Sequence, residues 1–346
     1  GVYFTRLKSI HSIRKLTDYE DYNLYRMDID YAYDLDRLID RGITDNQSMI
    51  NAILAEALPY LPIHMKAPNF GCSAFCTQGT DGHTLMGRNY DFKNDTSAML
   101  VYCTPKDGYA SVAFAALDNI NANTPDASMA KKLATLTAPF ICLDGMNEKG
   151  VSIAVLTLDS DPTYQQTGKP MIATTLAIRL VLDRAATTAE AVELLSKYDM
   201  FASSGRDYHF YITDASGDGR VLEYDCNDPA RPLTATPSRS VTNFFVMYKD
   251  NVLPNQRNGV YGHGRERYDA IEEILDANAG SIDREIAWQA LQAASQAPNP
   301  QDVTSNTQWS ILYDNTALTA EAVIRRDWNT KTSYNLVSNV AVTDVG

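Results

Sequence analysis

The sequence is poor in positive charge. It holds 30 lysines and arginines against 43 aspartates and glutamates, which gives a formal net charge of −13 at pH 7 and an isoelectric point near 4.8. Nucleic acids and anionic membrane surfaces are bound by basic surfaces. The composition therefore argues against both as partners.

Long hydrophobic runs are also missing. A membrane-spanning helix needs about 20 consecutive, mostly apolar residues, and the sequence contains no such run, so we expect no membrane span. No charged-then-apolar signal peptide is present either. Because the chain begins at Gly1 and not at Met, we expect that a leader was removed and that the protein is secreted or otherwise extracytoplasmic. A cytoplasmic location is the alternative.

Common metal and catalytic motifs are absent. The sequence has no GxSxG, HExxH, P-loop or GxGxxG pattern, and its five histidines occur in unrelated contexts. The stretch DASGDGRVLEYD (214–225) has the acidic spacing of a calcium loop. Alternation typical of strands on both sides favours a β-hairpin that turns at SGDG. We expect neither a metal nor a cofactor.

The predicted strands and helices occur in separate runs. A capped helix is predicted at about 45–58, a hairpin from residue 72, an apolar helix at 169–185 and a strand at 240–248. Such an order indicates an α+β protein with layered sheets and not a chain of βαβ units. With 45% hydrophobic residues, the chain has enough apolar surface for a substantial core.

The stretch GCSAFCTQGTDGHTLMGRNYD (71–91) carries the clearest chemical signal. A lone cysteine is usually a small buried apolar residue. In a hairpin that begins at Cys72, however, Arg88 and Asp91 lie on the returning strand, and a nearby guanidinium lowers the pKa of a thiol. No histidine is positioned as a base, whereas the α-amino group of a cysteine has an unperturbed pKa of about 7.7–8.0. We therefore predict a nucleophilic Cys72 whose amine is freed by cleavage of the Gly71–Cys72 bond.

Together with four later stretches, this hairpin resembles the N-terminal-nucleophile hydrolases of the choloylglycine hydrolase group, which also contains penicillin V acylase and acid-ceramidase-like enzymes. The later stretches are DGMNEKGVSIAVL (144–156), SVTN (240–243), GRERYDAI (264–271) and TQWS (307–310). The resemblance implies an αββα four-layer sandwich of two antiparallel sheets between helices. It also implies hydrolysis of a linear, non-peptide amide through a thioester acyl-enzyme.

The resemblance implies a role for each matched residue of the hairpin. Cys72 Sγ attacks the amide carbonyl, and the freed α-amine of the same residue acts as the base. Arg88 and Asp91 orient that amine and the thiol.

Further roles are implied for residues outside the hairpin. Asn243 donates its side-chain amide to the oxyanion, and Thr157 supplies a second donor through its backbone N–H. Bile-salt hydrolases carry asparagine at the position of Thr157, so bile-salt specificity is in doubt. The distal arginine of the family maps to Arg265 or Arg267, and Arg265 is preferred.

The long segment before Cys72 is a second departure from bile-salt hydrolases, which begin almost directly at their cysteine. Acid-ceramidase-like members cut such a segment from the nucleophile and keep it as an α chain. We accordingly expect residues 1–71 to be a pro-segment that is retained after self-cleavage, and residues 72–346 to be the catalytic β chain. A plain N-terminal subdomain is the alternative.

The expected partner is a small N-acyl amide of the fatty-acyl amide, conjugated bile acid or penicillin V type. Two other functions remain open: an acyltransferase that uses an amine as acceptor, and a catalytically silent binding protein. The sequence leaves open the acyl chain, the leaving amine, the state of the Gly71–Cys72 bond and whether the protein is a homo-oligomer.

Overall fold

The computed structural model describes residues 2–59, 70–300 and 305–346. The α-helices within these ranges are α1 (Val2–His11), α2 (Leu35–Asp40), α3 (Asn46–Ala57), α4 (Met129–Ala134), α5 (Thr174–Arg184), α6 (Thr188–Ser196), α7 (Arg265–Ala277) and α8 (Arg284–Ala294). The strands are β1 (Arg14–Lys15), β2 (Leu24–Ile29), β3 (Phe70–Gln78), β4 (Thr84–Phe92), β5 (Ala98–Cys103), β6 (Ser111–Ala116), β7 (Cys142–Asn147), β8 (Ser152–Leu158), β9 (Met171–Ala173), β10 (Asp199–Phe201), β11 (Asp207–Thr213), β12 (Arg220–Tyr224), β13 (Leu233–Pro237), β14 (Ser240–Val241), β15 (Asn306–Asp314), β16 (Thr319–Ile324), β17 (Thr330–Asn335) and β18 (Val340–Val345).

Two large sheets form the centre of the fold. The first has the strand order β1-β2-β5-β6-β7-β8-β11-β12-β13, and the second has the order β14-β3-β4-β15-β16-β17-β18. Helix α5 packs on β7 and β8 of the first sheet, and α7 and α8 pack on strands of the second sheet. The two sheets contact each other where β3 packs against β8. The predicted α+β class and the αββα layer order are confirmed.

Local sequence signals explain several elements. Asp45 caps α3 and forms a reciprocal capping box with Ser48, as expected for the predicted helix. At α6, the side chain of Thr187 accepts a hydrogen bond from the Glu190 N–H. The hairpin predicted at 214–225 is confirmed, because β11 and β12 pair in an antiparallel register.

Two predicted elements are shorter than expected. The helix predicted from residue 169 begins only at Thr174, because residues 171–173 form β9 and pair with β10. The strand predicted over 240–248 is limited to Ser240–Val241, which pairs with β3. After Val241 the chain leaves the sheet edge, and this departure brings Asn243 to the candidate site.

The N-terminal residues are part of the first sheet. Strand β2 pairs in parallel with β5, in the register Leu24↔Ala98. Side chains that follow β2 also bind the core: the Tyr31 hydroxyl donates to the Leu136 carbonyl at 2.6 Å, and the Tyr33 hydroxyl donates to Asp183 at 2.8 Å. Residues 60–69, near the end of the expected pro-segment, lie outside the described residues. Among the helices that the structure describes, none is both long and apolar enough to cross a membrane.

Gly150 makes a testable contribution to the fold. Its φ of +84° lies in the left-handed region, and an added Cβ would be 2.4 Å from the Asn315 carbonyl oxygen. Gly168 has a similar φ of +93° but no atom within 4 Å of a built Cβ. We predict that Gly168→Ala costs about 1 kcal/mol through backbone strain alone, and that Gly150→Ala costs about 1–3 kcal/mol more because of the clash.

Urea unfolding of both variants beside the parent chain measures these differences. Equal losses of stability at the two positions would contradict the steric explanation, because the matched variant shares only the backbone conformation.

Candidate active site

Cys72 lies in the hairpin of β3 and β4, where it is paired with Tyr90, and Gly71 is paired with Asp91. The strand runs through the Gly71–Cys72 bond, so the structure describes the uncut chain. The thiol is fully buried. Burial raises the pKa of the Cys72 thiol to about 12, and the positive charge of Arg88 only partly offsets this effect. In the uncut chain the thiol is therefore protonated at neutral pH.

The peptide groups of Cys72 are held by two residues from distant parts of the chain. Its N–H donates to Asn243 Oδ1 at 2.7 Å, and its carbonyl oxygen accepts from a terminal nitrogen of Arg267 at 2.5 Å. The other terminal nitrogen of Arg267 donates to Asn243 Oδ1 at 2.9 Å. Asn243 and Arg267 thus fix the backbone on both sides of the Cys72 Cα.

In the structure Arg267, and not the preferred Arg265, contacts Cys72. The Arg265 guanidinium points away from Cys72 and binds Asp269 and the Lys249 carbonyl, both at 2.9 Å. Arg267 is on the opposite side of α7, which faces the sheet. The sequence contained a signal for this choice, because Arg267 shares the helix face of Ile271, four residues later, which is fully buried.

Asp91 is fully buried beside the same cysteine. Its carboxylate accepts hydrogen bonds from the Thr307 hydroxyl at 2.7 Å and from the Gln296 amide at 3.1 Å. Arg267 is 4.0 Å away. Burial raises the pKa of Asp91 to about 6, although Arg267 and the hydrogen bonds act in the opposite direction.

Arg88 extends from β4 into the space between the two sheets. Its terminal nitrogens donate to the Val155 carbonyl at 2.7 Å and to the Leu143 carbonyl at 3.3 Å. Its Nε is 3.2 Å from Asp144 Oδ2 but is not aligned for a hydrogen bond. The guanidinium is therefore committed to β7 and β8 and acts on the Cys72 thiol through its charge.

Asp144 is a site residue that the sequence reasoning did not assign. Trp309 Nε1 donates to its carboxylate at 3.0 Å, and the Tyr313 hydroxyl donates at 2.5 Å. The signal was present, because Asp144 opens the matched stretch DGMNEKG and Trp309 is part of TQWS. Thr307, the first residue of TQWS, binds Asp91. These two matched stretches therefore supply the partners of Arg88 and Asp91.

Thr157 lies next to Asn243. The Asn243 amide nitrogen donates to the Thr157 carbonyl at 2.9 Å and to its hydroxyl at 3.2 Å. An extended residue directs its N–H and its C=O toward the same edge of the strand, so the Thr157 N–H also faces the site. In the uncut chain, Asn243 binds the Cys72 nitrogen through Oδ1, a contact that the sequence did not predict.

A buried histidine–carboxylate pair supports the segment that contains Asn243. His209 Nε2 is 2.8 Å from the Thr242 carbonyl oxygen, and Nδ1 is 2.9 Å from Glu223. The Glu223 carboxylate also accepts the N–H groups of Val246 and Met247. These bonds fix both ends of the irregular turn. This role of His209 could not be inferred from the sequence, in which the five histidines occur in unrelated contexts.

Three of the four remaining cysteines lie in the core. All five cysteines are free thiols, and Cys76, Cys103 and Cys142 are buried in addition to Cys72. In the described ranges, no group of three or more His, Cys, Asp and Glu side chains is arranged to hold a metal ion.

Comparison with known proteins shows which family and which solved structures this chain is similar to. Residues 72–228 match the family model of linear amide C–N hydrolases, choloylglycine hydrolase family. The chain is similar to a cysteine-to-alanine mutant of conjugated bile acid hydrolase from Clostridium perfringens, with 15% identity, a TM-score of 0.57 and coverage of 79% of this chain and 96% of that chain. It is also similar to penicillin V acylase from Agrobacterium tumefaciens, with 17% identity, a TM-score of 0.54 and coverage of 76% and 85%. At these identities the structures support the fold, and the family match supports a linear amide hydrolase.

The raised pKa of Asp91 predicts a pH-dependent stability. Because the pKa is about 6 in the folded chain and 3.8 ordinarily, the folded chain retains a proton at Asp91 that the unfolded chain loses. The free energy of unfolding contributed by Asp91 is therefore highest below about pH 4 and decreases as the pH rises to about 6. In a Cys72→Ala background, Asp91→Asn should gain melting temperature relative to its parent across this window and show a constant difference above it.

Thermal melts from pH 4 to pH 7.5 test this expectation, with Asp40→Asn at an exposed position as the matched control. A difference between Asp91→Asn and its parent that did not change with pH would show that Asp91 does not titrate in this window.

Proposed function

We propose that this chain, whose residues 72–228 belong to the choloylglycine hydrolase family of linear amide C–N hydrolases, is a cysteine hydrolase that activates itself by cutting the Gly71–Cys72 bond. One observation carries the proposal: the backbone of Cys72, the residue at which the family match begins, is bound on both sides by Asn243 and Arg267. A cysteine with only a structural role needs no such pair of polar side chains. The acyltransferase alternative shares the same acyl-enzyme and differs only in the acceptor.

Self-cleavage uses the uncut arrangement. Cys72 Sγ attacks the Gly71 carbonyl carbon, the C–N bond breaks, and the thiol proton moves to the nitrogen, which becomes an α-amine. Water then hydrolyses the thioester, which leaves a carboxylate on Gly71 and a free thiol on Cys72. Asn243 Oδ1, which accepts the Cys72 N–H at 2.7 Å, is placed to bind the new amine.

The segment before the cut remains bound after cleavage. Strand β2 is hydrogen-bonded to β5 along its whole length, and the Tyr33 hydroxyl binds the buried Asp183. Arg26 adds a hydrogen bond to Asn339, near the other end of the chain. None of these bonds involves the peptide link at Gly71. This supports a retained α chain of residues 1–71 beside a β chain of residues 72–346.

The mature site hydrolyses the substrate amide in two steps. The freed α-amine takes the thiol proton as Sγ attacks the substrate carbonyl, and the same proton goes to the leaving amine when the C–N bond breaks. The Asn243 amide nitrogen and the Thr157 N–H donate to the oxyanion, and removal of one such donor typically costs about 10²–10³ in rate. Water then attacks the thioester, with the α-amine as base.

The proposed substrates are N-acyl amides with an apolar acyl part. The named relatives act on conjugated bile acid and penicillin V. Threonine at position 157, where bile-salt hydrolases carry asparagine, argues against bile-salt specificity. We rank fatty-acyl amides first, because the long segment before Cys72 resembles that of acid-ceramidase-like enzymes.

Self-cleavage predicts a specific pattern of masses. Under denaturing conditions the wild-type protein should separate into two chains, cut between Gly71 and Cys72, while Cys72→Ala should remain at full length. Cys76→Ala is the matched control, because Cys76 is a buried cysteine on the same strand, and this variant should be cut. Before denaturation, both chains should co-elute on gel filtration. An uncut wild-type protein that hydrolysed amides would contradict the proposal.

The two arginines of α7 predict different effects on turnover. Hydrogen bonds from a charged donor are typically worth about 1.5–3 kcal/mol, so Arg267→Ala should lower kcat/KM about 10- to 100-fold. Arg265→Ala should stay within about twofold, because its guanidinium binds Asp269 and not the site. Release of free amine from fatty-acyl, bile-acid and phenoxyacyl amides is measured and normalised to the cut fraction.

Two results would count against this assignment. Equal losses of kcat/KM in Arg265→Ala and Arg267→Ala would show that Arg267 has no special role in turnover. No release of amine from any substrate class by the cut wild-type protein would contradict the proposed hydrolysis itself.

A further inference from the structure

His209 is a fully buried, titratable residue to which the proposed chemistry gives no part. It lies directly opposite Leu156 of β8. Leu156 is two positions after Ala154, which is opposite Asp144 of β7. Asp144 pairs with Arg88 in the layer between the sheets. Opposed residues share a face of a sheet, and so do residues two positions apart. His209 therefore lies in the layer between the two sheets.

Both ring nitrogens of His209 face oxygen atoms. Nε2 is 2.8 Å from the Thr242 carbonyl oxygen, and Nδ1 is 2.9 Å from Glu223 Oε2. Because a carbonyl oxygen can only accept, Nε2 carries a proton. A neutral imidazole has one N–H, so its Nδ1 lone pair would then face an oxygen of Glu223. Favourable contacts at both nitrogens therefore need a second proton, either on Nδ1 or on the carboxyl group.

The surroundings of Glu223 place this proton on the imidazole. The carboxylate accepts the N–H of Val246 at 2.8 Å and the N–H of Met247 at 3.2 Å, one at each oxygen. Backbone N–H groups favour the ionised form of a carboxyl group. Neither His209 nor Glu223 is exposed to water, and a buried carboxylate is tolerated when a positive charge compensates it. An imidazolium at His209 supplies that charge.

Two further charged groups approach this pair, and each has its own partner. Asp207 is two residues before His209 on the same face of β11, and it binds Arg231. Arg267 of α7 is committed to the candidate site itself. Strand β8 places an apolar residue opposite the imidazole. Glu223 is accordingly the counter-ion of His209.

The bond from His209 fixes one of the two peptide groups that flank Asn243, because it is made to the Thr242 carbonyl. The other peptide group is fixed by the His263 N–H, which donates to the Asn243 carbonyl at 2.9 Å. The Thr242 hydroxyl also donates to the Gly264 carbonyl at 2.8 Å, directly before α7. Since the position of a side chain follows from its own backbone, these bonds set where the Asn243 amide points.

We propose that His209 is held as an imidazolium by Glu223 and is a positioning residue, which acts on the reaction through Thr242 and the amide of Asn243. The role in turnover rests on the proposed function, because it requires that Asn243 donates to the oxyanion. The charge state does not rest on it. Both ring nitrogens are engaged, so His209 does not act as a base itself.

The charge state is tested by NMR of ¹⁵N-labelled histidine in the full-length Cys72→Ala protein, which requires no hydrolysis. A histidine with an ordinary pKa of about 6.5 is about nine-tenths neutral at pH 7.5. His209, identified by the loss of its signals in His209→Gln, should instead carry protons on both ring nitrogens at that pH. Glu223→Gln should leave the same ring with one proton. A neutral His209 ring in the Cys72→Ala protein at pH 7.5 would overturn the imidazolium.

Two substitutions of His209 separate its two contacts. The amide nitrogen of glutamine takes about the position of Nε2 and can still donate to Thr242, whereas that of asparagine takes about the position of Nδ1 and reaches only Glu223. Turnover is normalised to the cut fraction. His209→Asn should lower kcat about tenfold, the loss expected for one hydrogen bond from a charged donor, with KM changed by less than about twofold. His209→Gln should retain about a third or more of the wild-type kcat.

The matched control is His83→Gln, which should keep the wild-type kcat. Nδ1 of this partly exposed histidine also binds a carboxylate, that of Asp314, at 2.8 Å. Equal kcat, or an equal loss of self-cleavage, in His209→Asn and His209→Gln would overturn the positioning role, and so would a loss in KM alone. An uncut wild-type protein that releases no amine would contradict the proposed function and the role in turnover together, while the NMR spectrum alone decides the charge state.

Discussion

Arg88 carries its positive charge into the layer between the two sheets, where neither it nor Asp144 is exposed to water. A buried ion of this kind is tolerated only when hydrogen bonds and an opposite charge compensate for lost solvation. The compensation comes from both sheets, because β7 and β8 supply the acceptors of Arg88 and β15 supplies Trp309, which donates to Asp144. The register between the sheets and the electrostatics around Cys72 consequently depend on one network.

The candidate site is assembled while the Gly71–Cys72 bond is intact. Asn243 and Arg267 already hold the backbone of Cys72, and the turn that contains Asn243 is fixed from behind by His209. The thiol remains inert, since burial keeps it protonated at neutral pH. Under the proposed function, cleavage needs to supply only two things: an amine at the position of an amide, and access for the substrate. A rigid site with its polar groups in place is what electrostatic catalysis requires.

Local signals in the sequence were sufficient for the hairpin of Cys72 and for the α+β class, because alternation and turn residues act over a few positions, whereas the αββα layer order was implied by the family resemblance. Local signals failed where a side-chain contact joins residues that are far apart in the sequence. Nothing near Asp144 indicates that Trp309 binds it, since the two are joined only by the packing of β15 against the first sheet. The choice between Arg265 and Arg267 could be predicted only in part from local signals. Helix periodicity places Arg267 above the buried Ile271, but only the observed docking of α7 shows that this face meets Cys72.

The N-terminal segment connects the fold to the proposed activation. A parallel neighbour in a sheet needs a long crossover, and the chain from β2 to β5 passes through α2, α3 and the hairpin that contains Cys72. While the link at Gly71 is intact, β2 is tethered to the strands that follow it, and the loss of chain entropy on pairing is smaller for a tethered strand than for a separate one. The hydrogen bonds of β2 to β5 and of Tyr33 to Asp183 do not include the peptide link at Gly71. Under the proposed function, the bond that is broken is thus one that takes no part in these contacts.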